Sequence, residues 1–329
     1  MNFERRIENL RKMFDVLEVD AMIVYQGNNN RYLTGFAGGT GEGMLAVSRS
    51  HAQFVTDGRY QEEYQNNMPE GVNFVVSRDY YGLTLEVLKT WGVKKVGFED
   101  TIPFVVWDFF DDNLDEKVDL LPLEKPIEIL REIKDEDELF NTREAARLSV
   151  IAFNQLLEQI HSGMTEKEVA DLLDFLAKKA GLEKTSFDTI VASGVNSSKP
   201  HATVTDRKLQ KGDLVTIDFG YYYNGYTSDI TRTFAVGEID DQLKEIYQVV
   251  LNSEKAALAA TKADMKLRDL DKVARDVIDE AGFGEYFNHS TGHGTGLDIH
   301  EGPAISARST DESSLRNVLT IEPGIYLPD

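Results

Sequence analysis

The sequence predicts an α+β protein of two domains, and three observations indicate this class. The chain has 329 residues, a length that suits two domains of about 100–200 residues each. Short apolar runs alternate with helical patterns in the first part of the chain, as in a mixed α/β layer. The second part opens with two long helices and continues with strand-like runs, which predicts helices packed on an antiparallel sheet.

Composition narrows the classes of partner and cofactor. With 35 Lys+Arg against 57 Asp+Glu, the net charge is −22, so the protein should repel phosphate backbones and anionic lipid. The sequence contains no cysteine, which excludes disulfides, zinc–thiolate sites and iron–sulfur clusters. Because the N-terminus lacks a signal-peptide pattern and no apolar run approaches roughly 18 residues, we expect a cytoplasmic protein without nucleic-acid or membrane partners.

The first domain is predicted to begin with an amphipathic helix and to continue with buried strands. The apolar face of that helix is formed by Ile7, Leu10, Met13 and Phe14. The strand-like runs that follow begin with AMIVYQG and MLAVSRSHAQFVTDGRY. Two prolines and a charge run come later. We place the domain boundary at this point, which assigns residues 1–128 to the first domain and 129–329 to the second.

The second domain is predicted to begin with two helices. An apolar stripe with helical spacing starts at Leu139, and this helix ends before Gly163. Thr165 and Glu168 have the spacing of a capping box, in which each residue satisfies a backbone N–H of the other. This pattern predicts a second helix that ends at Gly181.

A tight hairpin is the most informative local prediction. Asn224-Gly225 separates two alternating runs, DLVTIDFGYYY and YTSDITRTFAV. This dipeptide is the strongest short-range signal for a two-residue type I′ turn. If the turn forms, Tyr223 pairs with Tyr226, and this pairing fixes the register of both strands.

The predicted register aims two carboxylates in the same direction. Asp218 lies opposite Thr231 and Asp229 opposite Gly220, so both aspartates project from one face as diagonal neighbours. Two buried carboxylates repel each other, and a shared divalent cation removes that cost. A solvent-facing hairpin with two surface acids explains this segment alone equally well, because a register slip of one residue would separate the acids.

Histidines and a late glutamate favour the interpretation as a metal site. His289, His293 and His300 fall within one glycine-rich run, HSTGHGTGLDIH. A lone histidine is more often a core residue, but three in one run together with two aligned acids indicate a functional site. His201 and Glu322 are further candidates from KPHATV and LTIEPG. Carboxylates with imidazole suit manganese, cobalt or iron(II), and zinc is also compatible.

These motifs together resemble a known family. In order along the chain they are NNNRYLTGF, TDGRY, FDTIVASGVNSSKPHATVTD, IDFG, SDITRT, GHGTGLDIHE and TIEPG. The sequence is similar to binuclear metallopeptidases of the pita-bread fold, and residues 1–128 resemble the N-terminal domain of prolidases (Xaa-Pro dipeptidases), aminopeptidases P and creatinase. The resemblance covers almost the whole chain.

The resemblance implies a reaction, a cofactor and a ligand set. It implies hydrolysis of the Xaa-Pro bond by a metal-activated water, with release of the N-terminal residue. Two divalent ions are expected, Mn²⁺ first and Co²⁺ or Zn²⁺ as alternatives, together with a homodimer. By position, Asp218 resembles the bidentate ligand of one metal and Asp229 a carboxylate that bridges both. His293 and Glu322 resemble ligands of the second metal.

The resemblance also implies roles for the remaining candidates. His201 and His300 are similar to histidines that contact the substrate and the tetrahedral intermediate, or shuttle a proton. Glu322 is the candidate for handling the proton of the attacking water. His289 resembles a further site histidine and is expected to bind substrate.

Departures from the family pattern keep two alternatives open. The sequence ends at Asp329, before the position of a second bridging glutamate, so we expect a C-terminally shortened member with impaired activity. A non-catalytic pita-bread protein that acts as a binding module is the main alternative. A creatinase-like amidinohydrolase without metal is less favoured, because candidate metal ligands are present. Metal content and hydrolysis with added manganese distinguish these cases.

Overall fold

The computed structural model describes residues 1–328. The chain divides into two compact units, Met1–Arg131 and Glu132–Asp329. No helix within residues 1–328 is both long enough and apolar enough to cross a membrane.

The first unit is built on one mixed six-stranded sheet. Its helices are α1 (Phe3–Met13), α2 (Gly27–Thr34), α3 (Gln61–Tyr64), α4 (Tyr80–Trp91), α5 (Phe104–Asn113) and α6 (Glu128–Arg131). Its strands are β1 (Ala21–Val24), β2 (Gly43–Ser48), β3 (Ala52–Thr56), β4 (Val72–Val76), β5 (Lys95–Glu99) and β6 (Asp119–Leu123). The strand order is β4-β3-β2-β1-β5-β6, with antiparallel pairing around β2 and parallel pairing towards both edges. The predicted mixed α/β layer is confirmed.

Burial explains why the first unit folds in this way. Every residue of β1 and β2 is buried, as expected of central strands covered on both faces. Ile7, Leu10 and Phe14 are buried along α1, which confirms the predicted apolar face. The side chain of Asn2 caps α1 by accepting a hydrogen bond from the Arg5 N–H at 2.9 Å.

Residues 132–328 of the second unit combine four helices with short antiparallel sheets. Its helices are α7 (Glu136–Leu157), α8 (Glu166–Lys179), α9 (Asp241–Ala260) and α10 (Leu267–Glu280), with 3₁₀ turns at Gly194–Ser198 and Gly284–Tyr286. Its strands are β7 (Ile190–Ser193), β8 (Leu214–Phe219), β9 (Tyr222–Tyr223), β10 (Tyr226–Thr227), β11 (Ile230–Ala235), β12 (Gly292–Gly294) and β13 (Glu301–Ile305). They form the sheets β11-β8-β7, β10-β9 and β12-β13. The α+β class predicted from the sequence is confirmed.

The first two helices of the second unit pack on the three-stranded sheet. Helix α8 begins with the predicted capping box of Thr165 and Glu168. Helix α7 begins at a capping box that the sequence analysis did not identify, formed by Asp135 and Glu138. The buried apolar residues shared by α7, α8, β7 and β8 form one core cluster, which includes Leu156, Leu173, Val191 and Ile217.

The hairpin has the predicted register. Asn224 and Gly225 adopt φ values of 47° and 77°, as the two central positions of a type I′ turn require. Tyr226 pairs with Tyr223 between β10 and β9, and Thr231 pairs with Asp218 between β11 and β8, in the same register. The turn residues therefore determine which strand positions lie opposite each other.

Candidate metal centre

Two faces of the hairpin have opposite character. Val215, Ile217 and Phe219 are buried in the core cluster, whereas Asp218 alternates with them and projects from the other face. Asp218 occupies the central strand of its sheet, with Thr231 of β11 on one side and Ile190 of β7 on the other. The sheet thus holds this carboxylate rigidly.

His293 is positioned by close packing of backbone around β12. A Cβ atom at Gly292 would overlap the carbonyl of Thr320, and one at Gly294 would overlap the carbonyl of Gly302. The glycines beside His293 therefore let neighbouring backbone approach. The segments that approach are those of Thr320 and Gly302.

Glu322 is joined to β12 by a short ladder of hydrogen bonds. The Glu322 N–H donates to the carbonyl of Thr291 at 2.8 Å, and the Thr320 N–H donates to the carbonyl of His293 at 2.8 Å. The Thr320 hydroxyl accepts from the His293 N–H at 3.0 Å and donates to Glu322 Oε1 at 2.8 Å. Thr320 thus orients the carboxylate that the sequence singled out, although the sequence analysis did not identify Thr320 itself.

His293 contacts two of the other candidate ligands in separate pairs. His293 Nε2 lies 3.4 Å from Asp229 Oδ2 and 3.3 Å from Glu322 Oε1. His293 Nδ1 lies 2.9 Å from the carbonyl oxygen of Gly294. Because a carbonyl only accepts, Nδ1 carries a proton, and in the neutral ring the lone pair sits on Nε2. That lone pair then faces two carboxylates, an arrangement that requires either a proton or a metal cation.

The donor set fits divalent ions. Donor atoms about 2.1 Å from one ion lie about 3.0 Å apart at an octahedral angle and about 3.4 Å apart at a tetrahedral angle. The two distances from His293 Nε2 fall in the upper part of this range. Within residues 1–328, Asp218 Oδ1 is buried and accepts no hydrogen bond, as expected of an atom that faces a cation. No three His, Asp or Glu side chains of the described chain are already closed around one point. The fit therefore rests on donor chemistry and pairwise spacing.

Burial and mutual repulsion raise the pKa values of both aspartates. Burial is the main cause of the rise in the pKa of Asp218 to about 6, and the charge of Glu322 adds to it. Burial likewise raises the pKa of Asp229 to about 7, with repulsion from Asp218 and Glu322 as further causes. The site thus favours uptake of positive charge, which a metal ion supplies without a proton.

The His293–Glu322 contact shifts both groups toward their charged forms. Burial opposes the charged imidazole, but the hydrogen bonds to Glu322 and Gly294 outweigh it and raise the pKa of His293. Burial also acts against the Glu322 carboxylate, but the hydrogen bonds from His293 and Thr320 hold its pKa below the usual range. In the absence of a metal, a proton on His293 takes the place of the cation.

Two further candidate histidines, His300 and His201, interact with these groups. The rings of His300 and His293 are 4.4 Å apart between centroids, at 63°. Partial burial lowers the pKa of His300, and the positive charges of His293 and His201 lower it further. The charge of His201 also acts on Asp218. The His300 ring therefore packs against His293, and His201 lies within electrostatic range of Asp218, while the roles of both remain predictions.

His289 reaches the site through a residue that the sequence analysis missed. Its Nδ1 donates to the carbonyl of Ser290 at 2.8 Å, and in the neutral ring Nε2 accepts from the hydroxyl of Tyr326 at 3.1 Å. Burial raises the pKa of Tyr326 to about 12, and the charges of Glu322 and Asp218 contribute. The available signal was position, because Tyr326 follows Glu322 by four residues in the run TIEPGIYLP.

Comparison with known proteins identifies the family of this chain. Residues 141–329 match the model of metallopeptidase family M24, and residues 6–133 match the Creatinase/Prolidase N-terminal domain. The peptidase YqhT of Bacillus subtilis, described as uncharacterized, is 39% identical over 98% of this chain and 91% of its own length. An Xaa-Pro dipeptidase of Pyrococcus horikoshii is 36% identical over 98% of this chain and 90% of its own length.

Solved structures show the same fold. The Xaa-Pro dipeptidase from Bacillus anthracis superposes with a TM-score of 0.95 at 39% identity, over 99% of this chain and 91% of that one. The X-Pro aminopeptidase from Thermotoga maritima superposes with a TM-score of 0.87 at 34% identity, over 96% and 91%. The resemblance inferred from the motifs is confirmed, and so is the pita-bread fold. The chain belongs to metallopeptidase family M24, with a Creatinase/Prolidase N-terminal domain, and this family implies divalent metal ions.

Proposed function

We propose that this protein is a metal-dependent exopeptidase that hydrolyses Xaa-Pro peptide bonds and releases the N-terminal residue. One observation carries the proposal: His293 Nε2 faces Asp229 and Glu322 at 3.4 and 3.3 Å. Proteins named Xaa-Pro dipeptidase and X-Pro aminopeptidase are similar to this chain over nearly its whole length, and this similarity supports the substrate class. A non-catalytic binding module is not favoured by these relatives.

We assign the metal ligands to Asp218, Asp229, His293 and Glu322. Their carboxylate and imidazole donors suit Mn²⁺, with Co²⁺ and Zn²⁺ as alternatives, and Asp229 would bridge two ions. When bound, the ions would lower the pKa of a water molecule and polarise the scissile carbonyl.

The remaining side chains would bind substrate and move protons. His300, whose pKa is lowered, remains neutral at neutral pH, so one ring N–H is available to donate to the developing oxyanion. His201 can donate from the exposed loop in which it lies. Glu322 would take up a proton during the attack. His289, oriented by Tyr326, would contact the peptide.

An Xaa-Pro bond makes particular demands on such a site. It is a tertiary amide without an N–H, so recognition depends on the shape of the proline ring and on the free N-terminus. We further propose that the enzyme acts as a cytoplasmic homodimer. The net charge of −22 is compatible with small peptide substrates and unfavourable for nucleic acids.

The test is a hydrolysis assay with matched peptides. The protein is freed of metal, loaded with Mn²⁺, Co²⁺ or Zn²⁺ in turn, and incubated with Ala-Pro, Ala-Pro-Ala and the control Ala-Ala. We expect metal-dependent cleavage of at least one proline peptide, no cleavage of Ala-Ala, and loss of activity with a chelator. The ratio of the two proline peptides distinguishes a dipeptidase from an aminopeptidase. A protein that holds no stoichiometric metal and cleaves neither peptide would be a binding module.

A further inference from the structure

We propose that Glu166 is the residue that positions His201 for this reaction, an inference that rests on the proposed function. His201 lies between β7 and β8 in a segment that we define as the His201 loop, residues 194–204. The loop begins with a 3₁₀ turn, Gly194–Ser198, and both Val195 and His201 are exposed. A functional side chain on such a loop needs an anchor, because exposed loops move more than the elements they connect.

One carboxylate anchors the start of the His201 loop. Glu166 is fully buried at the first position of α8. Its Oε1 accepts from the Ser193 N–H at 2.8 Å and from the Ser193 hydroxyl at 2.7 Å. The same oxygen accepts from Asn196 Nδ2 at 3.0 Å. The entry to the loop is therefore tied to α8 by three hydrogen bonds.

The other oxygen of the same carboxylate anchors the end of the loop. Glu166 Oε2 accepts from the Thr205 N–H at 3.1 Å and from the Thr205 hydroxyl at 2.6 Å. Asn196 Nδ2 lies 3.2 Å from this oxygen as well. One side chain therefore binds residues at both ends of the loop. We infer that these hydrogen bonds hold the two ends of the loop together and so determine the position of His201.

The anchor works as an anion. Burial disfavours the charged carboxylate, but the hydrogen bonds from Thr205, Ser193 and Asn196 outweigh burial and hold the pKa of Glu166 below its usual range. Hydrogen bonds to an ionised acceptor are shorter and stronger than neutral ones. A negative charge in the first turn of α8 is also favoured by the helix dipole.

The neighbouring Glu168 provides a matched control. It lies in the same first turn of α8 and accepts from the Thr165 N–H at 2.8 Å, so it serves the helix start outside the His201 loop. Glu168→Gln should weaken only the start of the helix, as the loss of a cap does. Glu166→Gln removes the negative charge of the side chain that joins the two ends of the loop. It also places an amide NH₂ group against hydrogen-bond donors.

The experiment is a double-mutant cycle with His201 on the metal-loaded protein. We expect Glu166→Gln to lower kcat on Ala-Pro by about 100-fold, since a misplaced catalytic group costs that much, with KM nearly unchanged. In the His201→Ala background the same substitution should have little further effect. Glu168→Gln should leave kcat close to wild type. An equal loss in both backgrounds would mean a general structural role and would overturn the proposal.

Hydrogen exchange supplies a readout that needs no activity. Peptides from residues 194–204 should exchange faster in Glu166→Gln than in wild type or Glu168→Gln, while peptides from α9 remain unchanged. If wild type cleaves no proline peptide, the proposed function fails. Hydrogen exchange in residues 194–204 then tests by itself whether Glu166 anchors the His201 loop. Equal exchange rates of residues 194–204 in Glu166→Gln and Glu168→Gln would overturn the proposal that Glu166 anchors the loop.

A milder variant covers the case in which Glu166→Gln does not fold. Thr205→Val deletes the hydroxyl that donates to Oε2 and keeps the backbone bond. We expect a smaller loss of kcat in the same direction, again absent in the His201→Ala background. An unchanged kcat together with unchanged exchange in residues 194–204 would contradict the proposal.

Discussion

Glu99 of the first unit and the acid cluster of the second unit, which we define as Asp218, Asp229 and Glu322, compensate their carboxylates differently. In the first unit, Glu99 is only 2% exposed. Its Oε2 accepts from the N–H groups of Tyr25 and Gln26 at 2.7 and 2.9 Å, and its Oε1 accepts from Asn29 Nδ2 at 2.7 Å. The start of α2 thus supplies donors to both oxygens. The hydrogen-bond acceptors of Glu99 are thus satisfied by donors of the protein itself.

The second unit lacks such a supply of donors at its acid cluster. Asp218 Oδ1 is buried without a hydrogen-bond partner in the part of the chain that the structure describes. Asp229 and Glu322 both face the same nitrogen of His293. The fold therefore places these carboxylates against one another and leaves their compensation to a cation.

A raised pKa does not distinguish the two regions. Burial is the largest cause for Glu99 and for Asp229 alike, and both carboxyl groups reach a pKa of about 7. Perturbed pKa values are common at functional sites, but buried structural groups show them too. The supply of hydrogen-bond donors separates the two cases, because Glu99 has its donors and the acid cluster is short of them.

The largest effect should come from deleting one acid of the cluster. Asp229→Ala removes the proposed bridging ligand, so bound metal should be lost and kcat should fall about a thousandfold or more. Glu99→Gln, in the other unit, should keep full metal content and wild-type kcat. Metal analysis after dialysis and the Ala-Pro assay measure both. Stoichiometric metal in Asp229→Ala would remove the distinction between the regions.

The next effect is a pH dependence of stability that belongs to Glu99. Folding raises its pKa from the ordinary 4.5 to about 7 through burial, so the folded state favours the protonated form. The resulting stabilisation is complete below about pH 4.5 and is lost as the pH rises through about 7. The full change amounts to about 3 kcal/mol.

Urea unfolding at pH 5 and pH 8 measures this dependence. Wild type should lose more unfolding free energy between the two pH values than Glu99→Gln, whose amide does not titrate. The difference between the variants isolates Glu99, because the acid cluster contributes equally to both. Parallel pH profiles would show that the donors from α2 keep Glu99 ionised throughout.

The parts of the molecule that could be predicted from the sequence depend on local chemistry. The Asn224-Gly225 turn and the alternation of β8 were sufficient to place Asp218 opposite Thr231, as observed. Thr165 and Glu168 likewise identified the start of α8. In both cases the residues of a short segment determine its backbone conformation, and contacts with distant segments do not change it.

Residues that act over long sequence separations were missed. Glu166 lies 39 positions from Thr205 in the chain, and no local pattern indicates that the two meet. Tyr326 meets His289, and Thr320 meets the N–H of His293, only because separate segments pack together. Side-chain hydrogen bonds between distant segments carry no periodic signal in the sequence.

The smallest expected effect tests whether the turn sets the geometry of the acid cluster. Gly225 has a φ of 77°, a conformation that costs an alanine about 1–2 kcal/mol, so Gly225→Ala should lower the unfolding free energy by that amount. Gly58→Ala is the control, since a Cβ there meets no described atom within 4 Å. If the strain shifts the strands, metal affinity should fall in Gly225→Ala and not in Gly58→Ala. Loss of stability with unchanged metal affinity would instead assign the placement of the acids to β7 and the core.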